Sequence, residues 1–308
     1  MSNTSDQAPE QIPADPPVGD PRSASANADS TRDTRFFGQP LALANVFGVE
    51  MWERFSFYGM QGILLIYMYF SVTEGGLGID RVVATGIVGA YGGAVYLFAI
   101  LGAWLADRVM GSERVLFASA IVIMGGHIAL AVLPSALGLG VGLVLVAIGS
   151  GGLKANATSV VGTPYAAGDD RRDAGFSLFY LGINLGAFLG PIITGLLQST
   201  VGFHWGFGAA AVGMAIGLIQ YSFGRKHLPA SSRVVTNPLP KRQRPRIILL
   251  ALAAVAVIVV LVLVGVIRAD NLASIVIIIV AAAAIVYFIV IISSKQITPT
   301  ERSRVTGF

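Results

Sequence analysis

Glu50-Met51-Trp52-Glu53-Arg54-Phe55-Ser56-Phe57-Tyr58-Gly59 decides how this chain of 308 residues reads. The stretch lies inside an apolar run from Leu41 to Phe70, long enough for a membrane-crossing helix. On a helix Glu50, Glu53 and Arg54 fall at i, i+3 and i+4, so the three charges share one face, which Tyr58 and Gln61 extend. An ionised side chain at mid-helix costs about 2.5–3.5 kcal/mol to insert, whereas a Leu, Ile, Phe or Val returns only about 0.3–0.6. Three charges therefore offset about fifteen apolar residues. Such a helix must turn its charged face to protein or to a watery cavity, and ionisable groups at that depth point to a proton or substrate path. The alternative is a structural ion pair that only locks helices together.

The surrounding chain is 54% hydrophobic and 12% charged, with 37 Gly. Eight apolar spans follow one another at 41–70, 84–106, 114–134, 137–163, 174–199, 205–224, 247–267 and 273–293. That pattern predicts an all-α polytopic membrane protein. The net charge of +4 sits in the connections between spans, so it points to no nucleic-acid partner. The absence of Cys excludes disulfides, thiolate metal sites and a Cys nucleophile. His127, His204 and His227 are too scattered for a metal cluster, and His127, behind Gly125-Gly126, reads as a hydrogen-bonded spacer.

Residues 1–35, rich in Ala, Ser, Asp and Pro, read as a disordered cytoplasmic tail. Residues 36–224 carry six spans. Residues 225–246, with Pro238, Pro240, Pro245 and Lys241-Arg242-Gln243-Arg244, read as a basic cytoplasmic linker, solvated rather than held on lipid headgroups. Residues 247–293 add two Val/Ile/Ala-rich spans without internal charge. The N-terminal tail holds three Lys and Arg, the 107–114, 164–173 and 225–246 loops two, two and seven, and the C-terminal tail three, which makes seventeen. The alternate loops hold only Arg81 and Arg268. This asymmetry puts both termini in the cytoplasm of a multi-pass protein of the cytoplasmic membrane.

Depth brings distant residues together. Arg54 lies at the midpoint of the first span, and Glu50 about 6 Å to its cytoplasmic side at ~1.5 Å per residue. Lys154, in the oppositely directed fourth span, falls level with that turn, and two carboxylates with two cations sum to zero, as buried charges should. Tyr96 and Asn184 also lie near their midpoints, where secondary transporters bind substrate. Tyr91 and Tyr96 read equally as packing residues, and Asn184 as a bond between helices. Gly149, Gly151 and Gly152 allow close helix approach and make no phosphate loop. Asp107 and Arg108, in Gly102-Ala103-Trp104-Leu105-Ala106-Asp107-Arg108-Val109-Met110-Gly111, end the second span as a gate or as a solvated charge pair.

These residues resemble the proton-dependent oligopeptide transporter family of the major facilitator superfamily. Glu50 to Phe55 with Tyr58 resembles the family's E-x-x-E-R-F signature, and Gly102 to Gly111 the superfamily's cytoplasmic loop motif. Gly151-Gly152-Leu153-Lys154-Ala155-Asn156 resembles the fourth-helix lysine motif, and Phe179-Tyr180-Leu181-Gly182-Ile183-Asn184-Leu185-Gly186 the F-Y-x-x-I-N-x-G signature. The resemblance covers residues 36–308. It implies the N-terminal six-helix bundle of such a transporter plus two inserted transmembrane helices, with residues 294–308 leading into a second bundle that is absent.

It further implies proton-coupled symport of di- and tripeptides. Glu50 and Glu53 would carry the proton, Arg54 and Lys154 the peptide carboxylate, Asn184 the peptide backbone, Tyr58 and Tyr96 the pocket wall, and Asp107 and Arg108 a gate. Gln61 stands where many members carry an Arg that pairs with a seventh-helix acid, so that outer salt bridge is not expected. The partners are a di- or tripeptide, the lipid bilayer and a separately encoded C-terminal half. Protons are the coupling ion, and no metal, nucleotide or organic cofactor is implied, nor any enzyme activity. The competing reading is a non-transporting membrane subunit or inactive truncated remnant. A channel is disfavoured because no ring of like residues repeats.

Overall fold

The computed structural model describes residues 33–166 and 168–293. All but the end of the tail read at 1–35, and the whole 294–308 lead-in, lie outside the described residues. Eight long helices carry the described chain: α1 (Leu41–Tyr69), α2 (Arg81–Leu105), α3 (Ser112–Val132), α4 (Ala136–Gly162), α5 (Arg171–Thr200), α6 (Phe203–Gly224), α7 (Arg244–Leu263) and α8 (Leu272–Ser293). Seven of them are long and apolar enough to cross a membrane; α1, which holds Glu50, Glu53 and Arg54, is the exception. The chain is an all-α, multi-pass membrane protein.

The chain enters α1 under restraint. The Asp33 carboxylate accepts the Leu41 amide at 3.0 Å, the Arg171 guanidinium donates to the Asp33 carbonyl at 3.0 Å, and the Tyr165 hydroxyl donates to Gln39 at 2.9 Å. Hydrogen bonds from Arg35 and Arg171 hold the Asp33 and Asp169 carboxyls below the usual carboxylate range.

α1 lies in a groove built by α5. Gly182, Gly186 and Gly190 recur every fourth residue, and a Cβ there would strike the Phe47 ring, the Met51 carbonyl and the Phe55 carbonyl in turn. Thr194, one turn on, donates its hydroxyl to the Gly59 carbonyl at 2.8 Å. Small residues at this spacing let two helix backbones touch, which is how helices associate where lipid removes the hydrophobic drive between them. α4 is fitted in the same way. Gly149 abuts Ser119 and Ile123 of α3, Gly151 abuts Phe98 and Ala99 of α2, and Gly152 abuts Gly102. Asn156 secures the crossing by donating to the Gly102 carbonyl at 3.2 Å and the Gly152 carbonyl at 2.9 Å.

Two apolar clusters result. Met60, Ile63, Leu64, Tyr67 and Met68 of α1 enter one, with residues of α2, α4 and α6. Leu43, Val46 and Val49 enter the other, with residues of α3, α4 and α6. The charged turn falls between them. α7 and α8 bury no residue, although Ala273, Val276 and Val280 of α8 stand over Gly86 and Gly93 of α2.

The 225–246 segment departs from the solvated loop read in its sequence. Leu228, Ser232 and Leu239 are buried, and the Asn237 and Leu239 amides each donate at 2.9 Å, to the Asp107 and Arg108 carbonyls. The cause is Glu113, wholly buried at the start of α3. It pairs with Arg225 through two bonds of 2.7 and 3.0 Å and with Arg233 at 3.2 Å. The sequence reading counted Arg225 and Arg233 only as basic loop charges, whereas with Glu113 they form one knot beneath the bundle.

Candidate functional site

The centre of the site is one turn of α1. Arg54 Nη2 stands 2.6 Å and Nε 2.7 Å from Glu50 Oε1, and Nε lies 3.2 Å from Glu53 Oε2. Glu50, Glu53 and Arg54 are 2%, 0% and 6% exposed, so the pairing is made without water. Helical spacing brings Glu50 and Arg54 onto one face, and α4 closes over it: the Ser150 hydroxyl donates to Glu53 Oε1 at 2.9 Å. Glu50 Oε2 and Glu53 Oε2 accept no hydrogen bond among the described residues. With all three ionised the turn carries a net −1. Burying charge costs several kcal/mol per ion unless it is compensated, so a proton or a nearby cation is needed to balance the turn.

Lys154 is that cation, but it does not enter the ion pair expected from its depth. One turn beyond Ser150 on α4, it is half-buried, and its ammonium donates to the Tyr96 hydroxyl at 3.3 Å and sits 4.4 Å from that ring's centroid. No hydrogen bond or ion pair joins it to Glu53 among the described residues. The reason is competition, because the short reach of Arg54 along its own helix claims both carboxylates first.

The other expected residues divide. Tyr96 is 60% and Tyr58 37% exposed, so both present themselves at the open side of the bundle, whereas Tyr91 is buried. Asn184 is exposed and bonds no other helix among the described residues; its amide donates to the Tyr180 carbonyl on its own helix at 2.8 Å. Asp107 and Arg108 lie apart from this cluster, in a π-helical segment over Ala106–Met110 that ends at Gly111, whose φ of 82° suits glycine. It is their carbonyls that the linker engages. His127 departs from its reading: it is wholly buried, and neither ring nitrogen has a partner among the described residues. An apolar cavity of about 510 Å³ opens elsewhere, between α1, α5 and α6 beside Trp52, Phe55 and Trp205, and none of the expected site residues lines it.

Sequence reasoning missed Ser150 and Glu113. Ser150 stands among glycines and reads as one more small packing residue, although its place four residues before Lys154 puts it on the lysine's face. Glu113 carried a weaker signal, an acid in a first helical turn below a strongly basic loop.

An all-helical membrane bundle that buries a carboxylate–guanidinium turn beside an open lysine is the arrangement expected of a major facilitator half-bundle. Comparison with known proteins agrees. Residues 113–307 match PTR2, the POT family, and the chain belongs to that family. It is 43% identical over 274 residues to the uncharacterized transporter YclF of Bacillus subtilis (strain 168), covering 89% of this chain and 56% of the relative. It is 42% identical over 226 residues to a di-/tripeptide transporter of Lactococcus lactis subsp. lactis (strain IL1403), covering 72% of this chain and 45% of the relative. Among solved structures, the peptide transporter POT in complex with sulfate superposes with a TM-score of 0.84 at 43% identity, covering 92% of this chain and 58% of that one. A POT family transporter in complex with a thioalcohol conjugated peptide superposes with a TM-score of 0.86 at 40% identity, covering 92% of this chain and 59% of that one. The chain spans about half the length of these curated relatives.

Proposed function

We propose that this chain forms the N-terminal half of a proton-coupled di- and tripeptide symporter of the cytoplasmic membrane, with both termini in the cytoplasm. The observation that carries the reading is the dry Glu50–Glu53–Arg54 turn standing next to a lysine held outside it. A proton on Glu53 or Glu50 removes the carboxylate charge that holds the guanidinium. Arg54 is then free to meet the peptide carboxylate, for which its two-pronged geometry is suited. Lys154, resting on Tyr96, is already available to the same carboxylate. Tyr58 and Tyr96 wall the pocket, and Asn184 offers its amide to the peptide backbone. Asp107 and Arg108 close the cytoplasmic side as a gate. Proton and peptide each bias which face is open, so neither completes the cycle alone. A second six-helix bundle supplies the other wall and the contact for the peptide amino group. The names of the Lactococcus and other relatives support the substrate class.

The test is reconstitution. The chain is co-expressed with the C-terminal half of the Lactococcus relative, purified as a complex and placed in proteoliposomes with an alkaline interior. Accumulation of a labelled dipeptide that collapses on addition of a protonophore is expected. A complex that assembles and takes up no dipeptide would make the chain a non-transporting subunit.

A further inference from the structure

Tyr91 pays for a hydroxyl it does not use. The residue is 5% exposed, and its oxygen has no hydrogen-bond partner among the described residues. Its ring stacks on Phe57 with centroids 5.9 Å apart, and it belongs to the apolar cluster containing Val95, Val146 and Ala147. An unsatisfied buried hydroxyl is destabilising, and Phe of the same shape would avoid the penalty. The surroundings show what the hydroxyl is near. Phe57 stands one turn from Glu53 on α1, and Ala147 three residues before Ser150 on α4. The phenol is close enough for the charges of Glu53 and Arg54 to act on it. Glu53 Oε2, for its part, accepts no hydrogen bond and has only the Arg54 Nε at 3.2 Å. An unused donor and an unused acceptor therefore share one dry layer.

We infer that Tyr91 is a positioning residue that takes over Glu53 when Arg54 withdraws, its hydroxyl donating to Glu53 Oε2. With the proton on Oε1, that oxygen donates to the Ser150 hydroxyl while Oε2, the carbonyl oxygen, accepts from Tyr91, so the carboxyl group stays in place while the guanidinium is engaged elsewhere. The groups that act on this turn are Glu50, Arg54 and Tyr58 from α1, Tyr91 and Tyr96 from α2, and Ser150 and Lys154 from α4. α5 presents Gly186 there, and α6 presents Met214 to Ser56. The inference rests on the transport reading only for what draws Arg54 away. The hydroxyl itself can be read in the purified chain without transport, so the two fail separately.

The test uses the full chain in lipid nanodiscs. Infrared difference spectra between the wild type and Tyr91→Phe isolate the Tyr91 phenol. A weakly bonded phenol is expected in the wild type and a donor-bonded one in Arg54→Gln, and that shift should vanish when Glu53→Leu is added. Thermal melting gives the second reading. Tyr91→Phe should leave Tm unchanged or raise it with Arg54 in place, and lower it by about 2–4 °C in the Arg54→Gln background. If Arg54→Gln does not accumulate, Arg54→Lys replaces it, because a single ammonium stays with the nearer Glu50 and releases Glu53. A phenol already donor-bonded in the wild type would overturn the inference. So would a Tm change that is the same in both backgrounds, which would leave Tyr91 a packing residue.

Discussion

Replacing Ser150 by Ala should lower the stability of the chain by about 1–3 kcal/mol, because it leaves Glu53 Oε1 buried without its 2.9 Å donor. Thermal melting in detergent reads this as a lower Tm, and an unchanged Tm would mean that Glu53 finds another donor. Residues of this kind show where sequence stops being legible. Glu50, Glu53 and Arg54 could be read directly, because helical spacing alone puts them on one face. Ser150 could not, because its partner lies 97 residues away and a serine among glycines has a sufficient local explanation. Tyr91 and Tyr96 posed a different problem. Five residues on a helix turn about 140°, so one faces inward and the other outward, and only the placing of α4 decides which.

At the scale of the element, the contact between α1 and α5 depends on absent side chains. Gly186→Val places a branched side chain against the Met51 carbonyl, where two backbones already touch. Overpacking of a rigid contact costs about 1–3 kcal/mol or more. Loss of folded protein, measured by size-exclusion recovery in detergent, is the expected outcome, and Gly195→Val, where nothing lies within reach, should recover normally. Normal recovery of Gly186→Val would show that α1 and α5 do not approach in this way. The helices were legible because runs of apolar residues have one solution in lipid. The docking of residues 225–239 was not, since a basic, proline-containing segment has the composition of a linker and its anchor, Glu113, lies on another helix.

For the molecule as a whole, the proposed orientation rests on seventeen basic residues in one set of connections and tails against two in the other. Reporter fusions at Gly76 and Asn271 should read as external, and those at Asp170 and Lys241 as cytoplasmic. A cytoplasmic reading at Gly76 would reverse the orientation and, with it, the side from which the proton arrives. The class of the protein was legible because the charge pattern and four family-like motifs agree along the chain. The distribution of partners inside the cluster was less so. Counting charges balanced Lys154 against the carboxylates, but a count of charges does not say that Arg54, on the same helix as both acids, reaches them first.

The central claim is that a buried carboxylate couples the proton to the peptide, and Glu53→Gln tests it most directly in proteoliposomes holding the chain and its second bundle. Gln keeps the size and accepts the Ser150 hydrogen bond but does not titrate. Uptake driven by a proton gradient should therefore fall to background, while exchange of labelled for unlabelled dipeptide without a gradient persists. Lys154→Ala should instead weaken both, since it removes the cation proposed to meet the peptide and to balance the turn. Gradient-driven uptake by Glu53→Gln at the wild-type rate would contradict the account and leave the Glu50–Glu53–Arg54 turn as a structural lock.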